Sequence, residues 1–165
     1  MKLSYCLLIP LFAMLSFGVT AQDAPGDPDL TFNGTGKVIL DNGFLDLYQD
    51  VKITANGRIV AVGTTYDAMY ASDLQVSRFL SDGSPDPGFG TNGTFRYHLG
   101  YETGGYACHP LDDGSLLAAG ISMDSFGGFE MIVLKLTDSG VPDPAFGVAG
   151  VARYDYGAGE DIAYG

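Results

Sequence analysis

A five-residue motif recurs three times in this chain at one fixed interval. Pro28-Asp29-Leu30-Thr31-Phe32, Pro85-Asp86-Pro87-Gly88-Phe89 and Pro142-Asp143-Pro144-Ala145-Phe146 stand 57 residues apart, and Gly36, Gly93 and Gly150 follow them at the same spacing. The register continues between the motifs without a gap. Asn56-Gly57 answers to Asp113-Gly114, Gly63 to Gly120, Val76 to Val133, Arg78 to Lys135 and Gly83 to Gly140. Such a period marks a supersecondary unit that buries its apolar surface against copies of itself. The copies run over residues 26–82 and 83–139, with the start of a third at 140–165 and a short linker at 22–25.

Each copy reads as four strands. In the first they are Gly36–Leu40, Asp50–Ala55, Arg58–Thr64 and Leu74–Leu80; in the second, Gly93–His98, Tyr106–Leu111, Ser115–Ile121 and Glu130–Thr137. Val51, Ile53 and Ala55 alternate, which predicts one buried face. Arg58–Thr64 is almost continuously apolar, which predicts burial on both faces. Asn56-Gly57 and Asp113-Gly114 predict two-residue hairpin turns with φ > 0 open to both residues. The 24 glycines, ten Tyr and ten Phe suit strands joined by tight turns, and no helical periodicity competes. A four-stranded unit cannot bury both faces alone. The reading is all-β: four-stranded antiparallel β-propeller-type blades, one copy to a blade, two complete and a third partial, in an incomplete propeller. An eight-stranded sandwich would explain the alternation but not the gap-free repeat.

The first 21 residues read as an export signal. Lys2 precedes the apolar run Leu7–Val19, and Val19-Thr20-Ala21 places small residues before Gln22. The run is too short to span a bilayer comfortably. Removal of Cys6 with it leaves Cys108 as the one cysteine, read as a small buried apolar residue. The expected location is extracellular or at the cell surface. A net charge of −12 repels phosphate, so nucleic acid is an improbable partner.

The ordered pieces SPDPGFGTNG, ITANGRIVAVG and LQVSRFLSDG, with VPDPAFGVAG and PLDDGSLLAAG in the next copy, resemble the delta-60 β-propeller repeat family over residues 26 to 165. The resemblance implies a propeller fold and an exported bacterial protein with many tandem copies, and it implies no substrate. The first copy departs from the pattern at Leu30-Thr31 and at Asn33. The third copy stops as a strand begins, so the chain is expected to be a fragment with further blades beyond it. On that reading Tyr154, Tyr156 and the last strand would lack sheet partners.

The recurring polar residues are the candidate sites. Asp29, Asp86 and Asp143 suggest either a calcium ligand per blade or an Asx-type turn; one carboxylate in fixed register falls short of what calcium needs. Arg78 and Lys135 share phase with Val76 and Val133, which points them inward, either to pair with loop carboxylates such as Asp86 or to line an axial channel. Phe32, Phe89 and Phe146 read as plugs between blades rather than a ligand platform. His98 and His109 answer to Asp41 and Lys52 and so do not recur; no zinc spacing and no G-x-S-x-G elbow is present. No metal, cofactor or catalytic residue is expected. The functional expectation is a non-catalytic binding or adhesion scaffold for a protein or glycan. The alternatives are a propeller enzyme with its active site on other blades and a purely structural spacer.

Overall fold

A computed structural model describes residues 25–99, 102–123 and 127–155. Among the described residues eight strands form two four-stranded antiparallel sheets. The first sheet is β1 (Leu45–Ile53), β2 (Ile59–Tyr66), β3 (Ser72–Phe79) and β4 (Thr94–Tyr97); the second is β5 (Thr103–Pro110), β6 (Leu116–Met123), β7 (Phe129–Leu136) and β8 (Val151–Tyr154). Each sheet is a simple meander with strands in chain order, and neither closes into a barrel. The chain is all-β, built of two propeller-type blades. The expected leader, with Cys6, and the tail from Tyr156 to Gly165 lie outside the described residues.

Sheet and repeat are out of phase by one strand, which corrects the expectation of one copy to a blade. The strand that opens the second copy is β4, and it pairs with β3 of the first sheet through Leu74↔Tyr97 and Ser77↔Thr94. The strand that opens the third copy is β8, paired with β7 from Leu134↔Val151 to Met131↔Tyr154. Tyr154 therefore has a sheet partner, contrary to expectation. The same offset removes the predicted strand Gly36–Leu40. Its place in the repeat is that of β4, whose ladder comes from the preceding sheet. Among the described residues no sheet precedes Lys37–Leu40, and this segment forms no ladder.

The innermost strand of each sheet carries a bulge at the same repeat position, between Tyr48 and Asp50 and between Gly105 and Ala107. The bulge brings backbone hard against the neighbouring strand. A Cβ on Gly63 would lie 1.9 Å from the Leu47 carbonyl oxygen, and one on Gly120 would lie 1.9 Å from that of Gly104. These two glycines recur because the bulge leaves no room for a side chain.

The hairpin turns also differ from expectation. The Gly57 N–H donates to Thr54 O at 2.9 Å and the Thr54 N–H donates to Arg58 O at 2.9 Å. Only the glycines take the left-handed backbone, at φ 79° for Gly57 and 84° for Gly114; Asn56 and Asp113 do not. The loops are thus three-residue loops closed by a glycine bulge, not two-residue turns. Asn33 stands in the left-handed conformation at φ 50°, where Gly90 and Gly147 stand at 52° and 54°. Asn is among the residues best able to replace Gly there.

One face of each sheet makes the core between them. Val60 and Val62 of β2 and Leu74 and Val76 of β3 meet Cys108, Leu116, Ala118, Ile132, Leu134 and Leu136, all buried. Each such aliphatic side chain contributes about 1.5–3 kcal/mol by leaving water. Gly105 lies against Val62 and Leu74, so the inner strand of the second sheet crosses the face of the first. The opposite faces are covered unevenly: on the first sheet Gln75, Ser77 and Phe79 of β3 are buried, while β1 lies open. Val51 and Ile53 are 60% and 74% exposed, so the alternation expected to bury them places them on an uncovered face.

Candidate functional site

Two places converge polar groups: the lower end of the sheet junction, formed by the Asn56 and Asp113 turns, and the opposite end, where β2 turns into β3.

At the lower end the recurring motif has one geometry in all three copies. The aspartate side chain accepts from the backbone two residues on: Asp29 Oδ1 from the Thr31 N–H at 2.9 Å, Asp86 Oδ1 from Gly88 at 2.8 Å, Asp143 Oδ1 from Ala145 at 3.0 Å. Its carbonyl accepts from the Phe N–H at 3.0 Å for Phe32, 3.2 Å for Phe89 and 3.0 Å for Phe146. The Phe carbonyl accepts in turn from Gly36, Gly93 or Gly150. This is the Asx-turn arrangement. Among the described residues no three His, Cys, Asp or Glu side chains are placed to hold a metal ion together.

Arg78 points into the junction with Val76 as expected, whereas Lys135 stands with Val133 on the open face of the second sheet. Arg78 Nε donates to Asp86 Oδ2 at 2.8 Å, with both side chains buried, and its guanidinium lies 4.6 Å from the centre of the Phe89 ring. Lys135 meets Asp143 at 2.9 Å in a more open setting. Burial alone would raise the Asp86 carboxyl, but the Gly88 N–H and the charges of Arg78 and Arg58 hold it below the usual carboxylate range. The hydrogen bond and charge of Lys135, with the Ala145 N–H, do the same for Asp143.

Two residues that sequence reasoning passed over complete the cluster. Asp138 of the second copy accepts from Arg78 Nη1 at 2.8 Å and from Arg58 Nη1 at 3.2 Å, across the junction. Arg58 Nε also stands 3.2 Å from Asp86. Arg58 answers to Ser115 and Asp138 to Ser81, so neither recurs. Their signal was a break in the repeat: a unique cation in one copy with a unique carboxylate in the next. A second cross-junction bond joins them, since Asp50 Oδ2 accepts from the Cys108 N–H at 3.0 Å. The Cys108 thiol is pushed up to about 12 by burial and by Asp50, which keeps it protonated and unreactive at neutral pH. The cleft below this cluster, ≈ 240 Å³, is walled by the two hairpin turns and Asp138.

The upper end carries a cleft of ≈ 340 Å³ lined by Asn42, Thr65, Tyr66, Asp67, Asp73, Arg96 and His98. His98 Nδ1 stands 2.7 Å from Asp73 Oδ1, and Arg96 Nε donates to Gln75 Oε1 at 3.1 Å. Beside it the rings of Phe44 and Tyr70 meet edge to face at 5.2 Å, 48% and 66% exposed. Tyr70 holds φ 64°, a costly backbone for an aromatic residue. Its turn is fixed by Asp67, which accepts from the Met69 N–H at 2.8 Å and the Ala71 N–H at 3.0 Å. Nothing in the repeat register pointed here. Arg96 and Arg153 do recur, and Arg153 meets Glu130 as its own partner. His109 lies on the open face of the second sheet, beside Lys52 and Leu117.

A family model described as a domain of unknown function (DUF5122) beta-propeller matches residues 54–89. The match begins in the Asn56 turn, takes in β2 and β3 and ends on Phe89, so it covers Arg58, Arg78 and Asp86. The chain carries a β-propeller repeat. No curated protein matches it. No helix among the described residues is long and apolar enough to cross a membrane.

Proposed function

We propose that this chain is an exported, non-catalytic binding module of delta-60 repeats that takes its ligand at the upper end of the first blade. The observation that carries this reading is the Phe44–Tyr70 pair standing exposed beside a polar cleft, on a loop held in a strained conformation. Exposed aromatic rings offer flat apolar area at low entropic cost, and the adjoining Asp, Arg and His side chains supply directed hydrogen bonds. Such a surface suits the apolar face and the hydroxyls of a glycan. The recurring polar groups are engaged elsewhere: the Asp, Arg and Lys side chains of the motif close turns and ion pairs within the fold. That leaves them unavailable for chemistry on a substrate and favours a scaffold over an enzyme.

The test is a glycan array with the purified chain, followed by titration of any hit against Tyr70→Ala and Phe44→Ala. Binding that weakens at least tenfold in both variants, with melting temperature unchanged, supports the reading. Binding that is indifferent to both substitutions places the ligand elsewhere. Export is checked by N-terminal sequencing of the secreted product, which should begin at Gln22.

A further inference from the structure

The chain carries both halves of its own sheet-to-sheet contact, one on each open side. In the closed junction the first sheet contributes Val60, Val62, Leu74 and Val76. One repeat later, on the open face of the second sheet, stand Leu117, Ala119, Met131 and Val133, each half-buried. The second sheet contributes Cys108, Leu116, Ala118, Ile132, Leu134 and Leu136. One repeat earlier, on the opposite face of the first sheet, are Val51, Ile59, Ala61, Gln75, Ser77 and Phe79, of which the β3 residues Gln75, Ser77 and Phe79 are already buried. Both faces are grooved, with volumes of ≈ 370 and ≈ 480 Å³. Each is the repeat counterpart of a surface already packed, with Gln75 and Ser77 standing where Ile132 and Leu134 stand.

Lys37–Leu40 adds a second, independent observation. In the closed junction the Arg78 N–H donates to Gly93 O at 2.7 Å, and Arg78 O accepts from the Asp86 N–H at 2.9 Å. Lys135 makes the same two bonds with Gly150 and Asp143 at 2.9 Å each. The matching groups of the first copy, Gly36 C=O and Asp29 N–H, have no such strand among the described residues. Among the described residues no cation meets Asp29 as Arg78 meets Asp86 and Lys135 meets Asp143; its side chain accepts from Thr31 instead. Yet Phe32 is already seated against Gly83, and the Asn33 N–H donates to Asp82 O at 2.7 Å, as Phe89 and Gly90 do to Gly140 and Ser139. The clasp is formed. Among the described residues no strand ending in a basic residue closes upon it.

We propose that the chain assembles head to tail with a second copy of itself. The second sheet of one copy seats its Leu117–Val133 face on the Val51–Phe79 face of the next. Lys37–Leu40 of the receiving copy then lies in the fourth-strand position on β7, displacing Val151–Tyr154, and Asp29 takes Lys135. The exchange is required because one slot has two candidates: both segments occupy the fourth-strand position of the repeat. A contact between two different surfaces can continue or close into a ring. With −12 charges on every copy, apolar association should strengthen as salt rises.

The register fixes the experiment. Val76 faces Phe95 across β3 and β4, so Val38 should face Val133 between copies. In a background with Cys6 and Cys108 replaced by Ser, V38C/V133C should form disulfide-linked multimers under mild oxidation. Light scattering of the unmodified chain should give a mass at least twice that of one copy. The variants Val51→Glu and Leu117→Glu should each be monomeric, and their equimolar mixture should give a 1:1 dimer. Val51 is exposed and Leu117 lies between His109 and Lys135, so both single variants should keep their strand signal by circular dichroism. A chain that stays monomeric with free thiols overturns the proposal. So does association lost in only one of the two Glu variants, which would mean like faces pairing. Cross-linking that survives Leu117→Glu also overturns it. Tyr70→Ala should leave the assembly intact, so failure here is separable from failure of ligand binding.

Discussion

Phe32, Phe89 and Phe146 occupy the same position in three copies of one motif, yet Phe89 is 1% exposed while the other two are only half-buried. The ion pairs divide likewise: the Arg78 and Asp86 side chains are each 4% exposed, against 25% and 21% for Lys135 and Asp143. The local hydrogen bonds are the same at all three motifs. What differs is whether a sheet stands on both sides. The repeat alone specifies a turn and a ring direction; burial, and the stability that comes with it, arises only where two repeats meet.

The sharpest way to break this comparison is to truncate the ring at each copy. Phe89→Ala should cost about 3–5 kcal/mol, with Phe32→Ala and Phe146→Ala clearly smaller by urea denaturation. Equal losses would mean that the plug acts locally and the junction adds nothing. Next in size is the buried pair. Removing either Arg78 or Asp86 should cost about 2–3 kcal/mol, because the buried group left behind keeps only its second partner, Asp138 for Arg78 or Arg58 for Asp86. A double-mutant cycle should show coupling above about 1 kcal/mol, and Lys135 with Asp143 should couple less.

Acid should distinguish the same two pairs. The Asp86 carboxyl is held below its ordinary value, so its stabilisation is present in full above the unfolded value of about 3.9 and is lost as pH falls through the lowered one. The urea midpoint should therefore drop more steeply between about pH 5 and 3 in the wild type than in Asp86→Asn. Parallel curves would remove Asp86 from the account of acid sensitivity. The smallest effect lies in the open loop. Ala149 holds φ 52° in the left-handed region, so Ala149→Gly should raise stability by roughly 0.5–1 kcal/mol, and no rise would show that this loop relaxes freely.

Much of the fold was legible because the repeat and the strand period are properties of the chain. Six of the eight predicted strands fall on observed strands at their predicted place in the first and second sheets, and a seventh, at Thr94–Tyr97, was found with the wrong neighbour. Gly36–Leu40 failed for a related reason. A strand exists only where another strand offers its N–H and C=O groups, and the sequence of the segment says nothing of that neighbour. The Arg78–Asp86 pair was foreseeable from phase and spacing. Arg58, Asp138 and the Phe44–Tyr70 pair were not, since none recurs and each depends on loops brought together from different strands.

The sequence by itself determined the all-β class, the 57-residue unit and the inward direction of Arg78, because these follow from local chemistry and alternation. Only the tertiary structure decided where one blade ends and the next begins, which Phe is buried and which apolar faces stay open. Those depend on which sheet lies beside each repeat, and identical segments take different fates when their neighbours differ.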